Sequence, residues 1–364
     1  MKPIWLAALC AACTVFPALA DDPSFDERRE QIDAAVERGL RFLADRQKPD
    51  GSFDGQHGNT TALPALAGMA FLSKGYLPDQ PPFGDAINRS VDYVLDHVER
   101  NNKSREGYFG QIGDGKMYAH SISTLFLSEV SGMVDAKRQA RIDEILPLAT
   151  KLILDAQNRQ KSPDETGGWR YTPESGDSDL SCSGWALMAL RSVRLNGGSV
   201  PPEAIEKAVA YIRRNQEEHT GDRFGSFFYK RNQREFHDTL TGAAILCLEL
   251  CGRHEDPASL RAAEYLMKIY QNRYKSGWGN FYLFYGMYYS AQGLFQIGGE
   301  SWKEFYAWMC DTWIPRQNED GSWVNRENGN EGNPAYCTSM MVLALTVPYR
   351  MLPIYQRDET VDED

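Results

Sequence analysis

Several acidic, histidine and aromatic side chains hold corresponding positions in this sequence, each near the start of a strongly apolar segment. Carboxylates and imidazoles are common acids and bases in proteins, so these positions suggest acid–base chemistry. The chain has six histidines, and His120 and His237 hold corresponding places. The candidate residues in chain order are Thr60, Thr61, His120, Asp177, Asp179, Ser181, His237, Asp238, Tyr282, Tyr285, Tyr336 and Cys337.

Three of these positions also have a purely structural interpretation. A Ser, Thr or Asp side chain at the start of a helix accepts hydrogen bonds from the free amides of the first turn. Thr61, Asp179 and Asp238 are placed to do this, and capping alone would account for them. Whether they form a site depends on which helices bring them together.

The chain is a repeat protein. Gln317 to Trp323 reads Gln-Asn-Glu-Asp-Gly-Ser-Trp, and variants of this segment recur five times upstream. Repeat units bury their apolar faces against their neighbours, so one domain is expected from such a chain. The upstream copies run from Gln47 to Phe53, Glu106 to Phe109, Gln160 to Trp169, Gln216 to Phe227, and Gln271 to Trp278.

Each unit is predicted to contain two helices of different character. The first carries one apolar stripe with a charged opposite face, as in Ile205, Ala208, Val209 and Ile212. The second, such as Ala243 to Cys251, is apolar nearly all round, which is typical of a helix enclosed on both sides. Six such pairs predict an all-α fold of two concentric rings of six helices, closed so that the first unit packs on the sixth.

The loops between the helices of a pair follow a common pattern. Glycine permits the positive φ that a tight turn needs. Gln47, Gln216 and Gln317 lie on the last turn of the outer helices. We expect their side-chain amides to satisfy free carbonyls at those helix ends, which is a stabilising role and not a catalytic one.

These loops carry a resemblance to a known superfamily. Arg38 to Leu43, followed by Gln47-x3-Gly51-Ser52-Phe53, and the segment from Gln317 to Trp323 resemble the QW repeats of squalene cyclases and protein prenyltransferases. The resemblance covers nearly the whole chain after residue 20. It implies an α6/α6 toroid with a central cavity, in agreement with the six helix pairs. The motif lies in structural loops, so it identifies the scaffold and leaves the activity open.

Asp177-Ser178-Asp179-Leu180-Ser181 is similar to the Asp-x-Asp-Asp-Thr acid motif of class II terpene cyclases. The resemblance gives Asp179 the role of the acid that protonates an alkene, with His237 or His120 as the neighbour that helps to keep it protonated. Leu180 stands where the third Asp of the motif belongs. Squalene cyclases also have a second helical domain, whereas this chain has one toroid.

A carbocation formed in such a reaction would need aromatic faces around it. The segment from Trp278 to Tyr289, which includes Tyr282 and Tyr285, has seven aromatic residues in twelve. This density favours an apolar, aromatic cavity whether or not a reaction takes place there. The residues that we expect to line or adjoin the cavity are His120, Asp238, Trp278, Tyr282, Tyr285, Tyr336 and Cys337.

The favoured interpretation is a toroid that binds an apolar or isoprenoid-like molecule, or a lipid, in this cavity without a demonstrated turnover. Three alternatives stay open: a terpene cyclase with Asp179 as acid, a polysaccharide lyase or hydrolase using Asp177, Asp179 and Asp238, and a scaffold that binds another protein. The chain has neither the Asp-x-Cys of zinc prenyltransferases nor the Gly-Cys-Gly-Glu-Gln of thioester proteins. No metal-ligand spacing or phosphate-binding glycine loop occurs, so no cofactor is expected.

The ends of the chain and its composition add further expectations. Residues 1–20 have the pattern of a signal peptide, which predicts export to the periplasm or beyond after cleavage near Ala20. Residues 21–354 are then the toroid and 355–364 an acidic tail. A formal net charge of −11 argues against a nucleic-acid partner. No later segment is long and apolar enough to span a membrane, and five cysteines after cleavage do not suggest a disulfide framework.

Overall fold

The computed structural model describes residues 23–236, 238–254, 256–272, 282–325 and 331–356. The predicted signal peptide, His237, Trp278 and residues 357–364 lie outside these ranges. The described residues are mostly helical, which confirms the all-α prediction. They form α1 (Pro23–Arg46), α2 (Ala62–Ser73), α3 (Gly84–Asp96), α4 (Lys116–Val130), α5 (Ala136–Gln157), α6 (Leu180–Leu195), α7 (Pro202–Arg214), α8 (Thr239–Glu249), α9 (Pro257–Asn272), α10 (Leu283–Ile297), α11 (Gly299–Trp313) and α12 (Pro334–Leu345). A short antiparallel hairpin, β1 (Phe228–Lys230) and β2 (Glu235–Phe236), precedes α8.

The helices are of the two predicted types. The even-numbered helices, called inner helices below, are buried on nearly every side, and in α8 every residue is buried. The odd-numbered, outer helices bury one stripe. In α7 that stripe includes Ile205, Ala208, Val209 and Ile212, the residues that the helical periodicity selects. Burial of the inner helices on all sides explains why they lack a polar face.

The inner helices form a closed circuit. Each packs against the next inner helix in the sequence, and α12 packs against α2. Each outer helix from α3 to α11 packs mainly on the inner helix before it, and α1 packs on α12. Arg28 of α1 also pairs with Asp311 of α11, with Nε 2.9 Å from Oδ1. The first unit therefore contacts the last.

The glycine of each described repeat loop lies against the following outer helix. Gly51, Gly107, Gly167, Gly225 and Gly321 all have positive φ. A Cβ at Gly321 would lie 2.3 Å from the carbonyl oxygen of Arg38 in α1. Glycine is needed there both for the backbone conformation and for this close approach.

The repeat glutamines join neighbouring units. Gln317 Nε2 donates to the carbonyl oxygens of Gly321 in its own loop and Ala35 in α1, each at 2.8 Å. The amides of three other glutamines make the same two bonds, to the loop glycine and to an alanine of the next outer helix. These pairs are Gln47 with Ala86, Gln157 with Ala204, and Gln216 with Ala258. In the third unit the glutamine is Gln157 and not Gln160.

The expectation that these amides satisfy the end of their own outer helix is therefore wrong. The tryptophan of the motif reaches back to its own outer helix instead. The indole N–H of Trp169 donates to the Ile153 carbonyl of α5, and that of Trp323 donates to the Trp313 carbonyl of α11, each at 2.8 Å. A long indole can reach back over the helix end while the amide reaches sideways to the next unit.

A cationic residue of the next outer helix completes each glutamine site. It lies three positions after the alanine acceptor and, where it is arginine, donates to the glutamine Oε1. These pairs are Arg89 with Gln47 at 3.0 Å, Arg261 with Gln216 at 2.7 Å, and Arg38 with Gln317. In the third unit Lys207 takes this position and donates to Asn158 Oδ1 at 3.0 Å. The buried Gln157 Oε1 then has no hydrogen-bond partner within the described ranges.

The C-terminal segment covers the end of the circuit at which the inner helices finish. The Ile354 N–H donates to Glu129 Oε2 at the end of α4, at 3.2 Å. The Tyr355 carbonyl accepts from Gln296 Nε2 of α10 at 3.0 Å, and the Tyr355 phenol donates to the Leu343 carbonyl of α12 at 3.1 Å. Tyr355 is buried, so the packed fold includes it.

Two further features bear on the sequence-based expectations. None of the helices described is long and apolar enough to cross a bilayer. The five cysteines in the described part of the chain are all buried, and no disulfide joins any two of them. Buried free cysteines behave as small apolar side chains.

Candidate ligand-binding cavity

A cavity of about 650 Å³ lies inside the circuit, at the end where the inner helices begin. All six inner helices contribute to its wall, each through its first two turns. The helical residues that line it are Ala62, Leu63, Leu66, Lys116, Tyr118, Ile122, Ser181, Trp185, Thr239, Leu240, Tyr285, Tyr336 and Met340. Ligand sites of small molecules span about 300–1,000 Å³, so this cavity has the size of such a site.

The deeper part of the cavity is apolar. Leu66, Ile122, Trp185 and Met340 lie one to two turns into their helices and face the interior. The Trp185 indole is held in place because it stacks on Tyr288, with ring centroids 5.3 Å apart and planes 20° apart. This part of the wall offers burial of apolar surface and few hydrogen bonds.

The mouth of the cavity is polar and has unusual backbone geometry. His57, Asp114, Lys116 and Tyr282 all line the cavity and all have positive φ. They are four of the seven non-glycine residues with positive φ in the described chain. Such residues cost about 1–3 kcal/mol each and concentrate at ligand sites. Their clustering favours a functional role for this end of the molecule.

One side of the wall carries a chain of hydrogen bonds that ends in two phenols. Arg170 Nη1 donates to Asp179 Oδ2 at 2.6 Å and to Tyr229 Oη at 2.5 Å. Tyr229 Oη lies 2.6 Å from Tyr171 Oη. Tyr171 and Tyr229 both line the cavity. Tyr171 follows the third repeat loop and Tyr229 belongs to β1, so long-range packing brings them together.

A second hydrogen-bonded group lies beside the first. Tyr118 Oη donates to Ser181 Oγ at 3.1 Å, and Ser181 Oγ lies 2.8 Å from Tyr285 Oη. The rings of Tyr118 and Tyr171 are 5.9 Å apart, which links the two groups. Burial raises the pKa of Tyr285, so its phenol stays protonated at neutral pH. The cavity thus has a hydroxyl-bearing side and an apolar side.

Asp179 lies behind this wall and is fully buried. Its Oδ1 accepts from the Cys182 N–H at 2.8 Å, so Asp179 caps α6, and its Oδ2 accepts from Arg170. Burial raises the pKa of Asp179, while the Cys182 amide and the Arg170 guanidinium oppose that rise by stabilising the carboxylate. Both oxygens are hydrogen-bonded, and Arg170 and Tyr229 connect the carboxyl to the cavity.

Asp177 lies at the outer edge of the same cluster and is partly exposed. Its Oδ2 is 2.7 Å from Lys230 Nζ and 3.4 Å from Arg170 Nε. Asp177 and Asp179 therefore share one guanidinium. Neither carboxylate lines the cavity. The two cations and two anions of this cluster balance in charge.

Three other residues expected at the cavity lie behind its wall. His120 is fully buried between the Ala149 carbonyl, 3.1 Å from Nε2, and the Phe109 N–H, and burial lowers the pKa of its ring to about 4. Asp238 accepts from Tyr265 Oη at 2.6 Å and makes no capping bond to α8. The buried Cys337 thiol donates to the Glu331 carbonyl at 2.9 Å.

The expected tyrosines do line the cavity. Tyr282, Tyr285 and Tyr336 contribute to its wall, whereas His237 and Trp278 lie outside the described residues. Thr61 is buried at the start of α2 but bonds the Phe109 carbonyl instead of capping its helix. Of the three predicted caps, Asp179 alone makes the capping bond.

Sequence analysis missed four residues in or behind the polar wall of the cavity: Lys116, Arg170, Tyr171 and Tyr229. Lys116 begins an inner helix with its Nζ 5.4 Å from the Tyr171 ring centroid. Arg170 and Tyr171 directly follow the Gly-Gly-Trp of the third repeat loop. That adjacency to a repeat loop was the one available signal, since the other contacts are set by tertiary packing.

No protein-family model matches the sequence, and no curated protein matches it. Solved structures nevertheless share its fold. Type II terpene cyclase MstE from Scytonema has a TM-score of 0.58 at 15% identity, over 89% of this chain and 100% of the cyclase. A variant of that cyclase, in complex with its substrate geranylgeranyl dihydroxybenzoate, has a TM-score of 0.56 at 15% identity, over 91% and 99% of the two chains. A reducing end xylose-releasing exo-oligoxylanase has a TM-score of 0.55 at 12% identity, over 91% and 95%.

These comparisons confirm, at the level of the fold, the terpenoid-cyclase-like resemblance expected from the repeats. Proteins with different reactions share this scaffold, so the fold alone assigns no activity. The residues of the cavity have to carry any functional argument. Within the described ranges, no group of three His, Cys, Asp or Glu side chains could hold a metal ion.

Proposed function

We propose that this chain is an exported α6/α6 toroid that binds an apolar, isoprenoid-like molecule in its central cavity. The observation that carries the proposal is the cavity of about 650 Å³, to which all six inner helices contribute and whose deeper wall is apolar and aromatic. The C-terminal segment covers the opposite end of the circuit. This supports the proposal, because a ligand that entered at the mouth would be shielded from water at the far end. Burial of apolar ligand surface at about 25 cal/mol per Å² would drive binding.

Co-purification is the direct test. The exported chain would be purified without detergent, and its organic extract compared by mass spectrometry with native spectra of the intact protein. We expect a bound apolar molecule that is lost from the extract of an Ala62→Trp variant, since Ala62 lines the cavity at the start of α2. Ala44→Trp, at a partly buried alanine of α1 outside the cavity, is the matched control.

The outcomes separate the open alternatives. Equal ligand content in both variants would refute the cavity as the binding site. Native protein that is empty and takes up no isoprenoid would favour glycan chemistry or a protein-binding role instead, and anionic polysaccharides would be tried next. Export is tested separately, by the N-terminal sequence of protein recovered outside the cytoplasm, with Asp21 expected as the first residue.

Acid-initiated cyclisation by Asp179 is the second candidate, suggested by the similarity of residues 177–181 to the acid motif of class II terpene cyclases. The ion pair with Arg170 and the position of Asp179 behind the cavity wall argue against it. Geranylgeraniol would be incubated with the protein and the extract searched for cyclic products. Asp179→Asn keeps a cap for α6 but removes the anionic partner of Arg170, so we expect a loss of about 3 kcal/mol of stability. Cyclic products that the unaltered protein forms and that this variant, although still folded at the assay temperature, does not form would support the acid role. Lost stability without any products would identify a structural carboxylate.

A further inference from the structure

The phenol pair on the cavity wall points to the head group of the ligand, an inference that rests on the proposed function. Tyr171 and Tyr229 have two O–H protons between them, and one is used in the 2.6 Å bond between the two oxygens. Arg170 donates to Tyr229 Oη at 2.5 Å. This donation polarises Tyr229 and favours it as the donor to Tyr171, because hydrogen bonds in a chain strengthen one another. Tyr171 then keeps its own proton for an acceptor in the cavity.

Two cations strengthen Tyr171 as a donor. The Arg170 guanidinium carbon lies 3.9 Å from the Tyr171 ring centroid, and Lys116 Nζ lies 5.4 Å from it. A cation over an aromatic face withdraws electron density from the ring. Burial also raises the pKa of Tyr229 well above its ordinary value, so the phenol of Tyr229 stays protonated at neutral pH.

The charges around the pair are compensated. Arg170 pairs with Asp179 and Asp177, and Lys230 pairs with Asp177. Lys116 pairs with Asp114, with Nζ 2.9 Å from Oδ2. An anionic head group would have to compete with these carboxylates, whereas an uncharged oxygen needs only a hydrogen-bond donor.

We infer that Tyr171 and Tyr229, backed by Arg170, recognise an uncharged oxygen on an otherwise apolar ligand, such as the carbonyl of an isoprenoid ketone or the hydroxyl of an isoprenoid alcohol. The oxygen accepts from the phenol pair near the mouth. The hydrocarbon part extends past Trp185 toward Leu66 and Met340. Arg170 acts through Tyr229 and is a positioning residue.

The test is a competition among four isoprenoids that differ in their head groups: phytane, phytol, phytone and phytanic acid. The full chain would be equilibrated with equimolar mixtures delivered from cyclodextrin, and the retained ligands measured by mass spectrometry of the extract. We expect phytol and phytone to be retained over phytane by about tenfold, the value of one net hydrogen bond of about 1.4 kcal/mol. Phytanic acid, which is ionised to its carboxylate at neutral pH, should not be retained more than phytane.

Variants locate the effect. Tyr171→Phe should abolish the preference of phytone over phytane while the uptake of phytane persists. Tyr229→Phe, which removes the phenol that donates to Tyr171, should weaken that preference. Tyr336→Phe also removes a phenol from the cavity wall but lies outside the Arg170 chain, so the preference should remain there. Thermal melts of each variant check that the fold is kept.

The results that would overturn the inference are distinct from failure of the proposed function. Uptake of phytane and phytone in equal amounts by the unaltered protein would refute head-group recognition and leave apolar binding intact. A preference that survives unchanged in Tyr171→Phe would refute the assigned donor, and a salt-sensitive preference for phytanic acid would refute the uncharged head group. Failure to retain any of the four isoprenoids would refute both proposals.

Discussion

Lys207→Arg should stabilise the protein. Four repeat glutamines bond an alanine of the next outer helix, and in three units an arginine three positions after that alanine bonds the glutamine Oε1. In the third unit Lys207 stands at that position, and within the described chain the buried Gln157 Oε1 has no partner. An arginine there would donate to this oxygen with the same geometry. A buried acceptor without a partner costs about 1–3 kcal/mol, so the net gain should be about 1 kcal/mol.

In a chain of this size, that gain corresponds to a rise in melting temperature of about 1–3 °C, measured by calorimetry at fixed pH and salt. Arg89→Lys creates the reverse defect at Gln47 and should lower stability by a similar amount. Lys103→Arg, at an exposed loop position, controls for any general effect of arginine. The prediction is refuted if Lys207→Arg raises the melting temperature no more than Lys103→Arg does, while Arg89→Lys still lowers it. The glutamine site of the third unit would then not be equivalent to the other three.

Two further predictions concern the loops and the covered end. Gly321→Ala should cost more than 3 kcal/mol by thermal melt, because its Cβ would lie 2.3 Å from the Arg38 carbonyl oxygen. Gly132 also has positive φ, but a Cβ there would have no atom within 4 Å, so Gly132→Ala should cost only about 1 kcal/mol. Equal losses of stability in the two variants would show that the contact with Arg38 does not cause the loss at Gly321. Glu129 has a pKa raised to about 7 by burial, against an ordinary 4.5, so the folded state holds its proton more tightly than the unfolded state. Stability should therefore fall by up to about 3 kcal/mol as pH rises from about 4.5 to above 7. Glu129→Gln should remove this dependence of stability on pH. An unchanged pH dependence in that variant would exclude Glu129 as its source.

Much of the fold follows from the sequence because local physics determines it. The stripe of Ile205, Ala208, Val209 and Ile212 fixes which side of α7 is buried, and the loop glycines adopt the positive φ that their turns require. The partners of the glutamines could not be predicted in the same way. Their acceptors lie in the next unit, and no local pattern indicates that an amide reaches across to it.

The cavity was predictable only in part, since position at a helix start does not fix the direction of a side chain. Successive helical residues turn by about 100°, so Tyr336 faces the cavity while the adjacent Cys337 does not. Likewise Ser181 lines the cavity, and Asp179, two residues earlier, lies behind its wall. Tyr229 comes from a hairpin whose position depends on long-range contacts.

The bond from Gln317 to Ala35 joins residues 282 positions apart. In an open stack of repeats, each unit depends only on its nearest neighbours, and the number of repeats can drift. Here the sixth unit packs against the first. If one unit were lost, the angle between every pair of neighbouring units would have to change for the circuit to close. The number of repeats is thus constrained by geometry, whereas the location of the chain termini is not. A circularly permuted chain, with its old ends joined and new ends in another repeat loop, would meet the same interfaces.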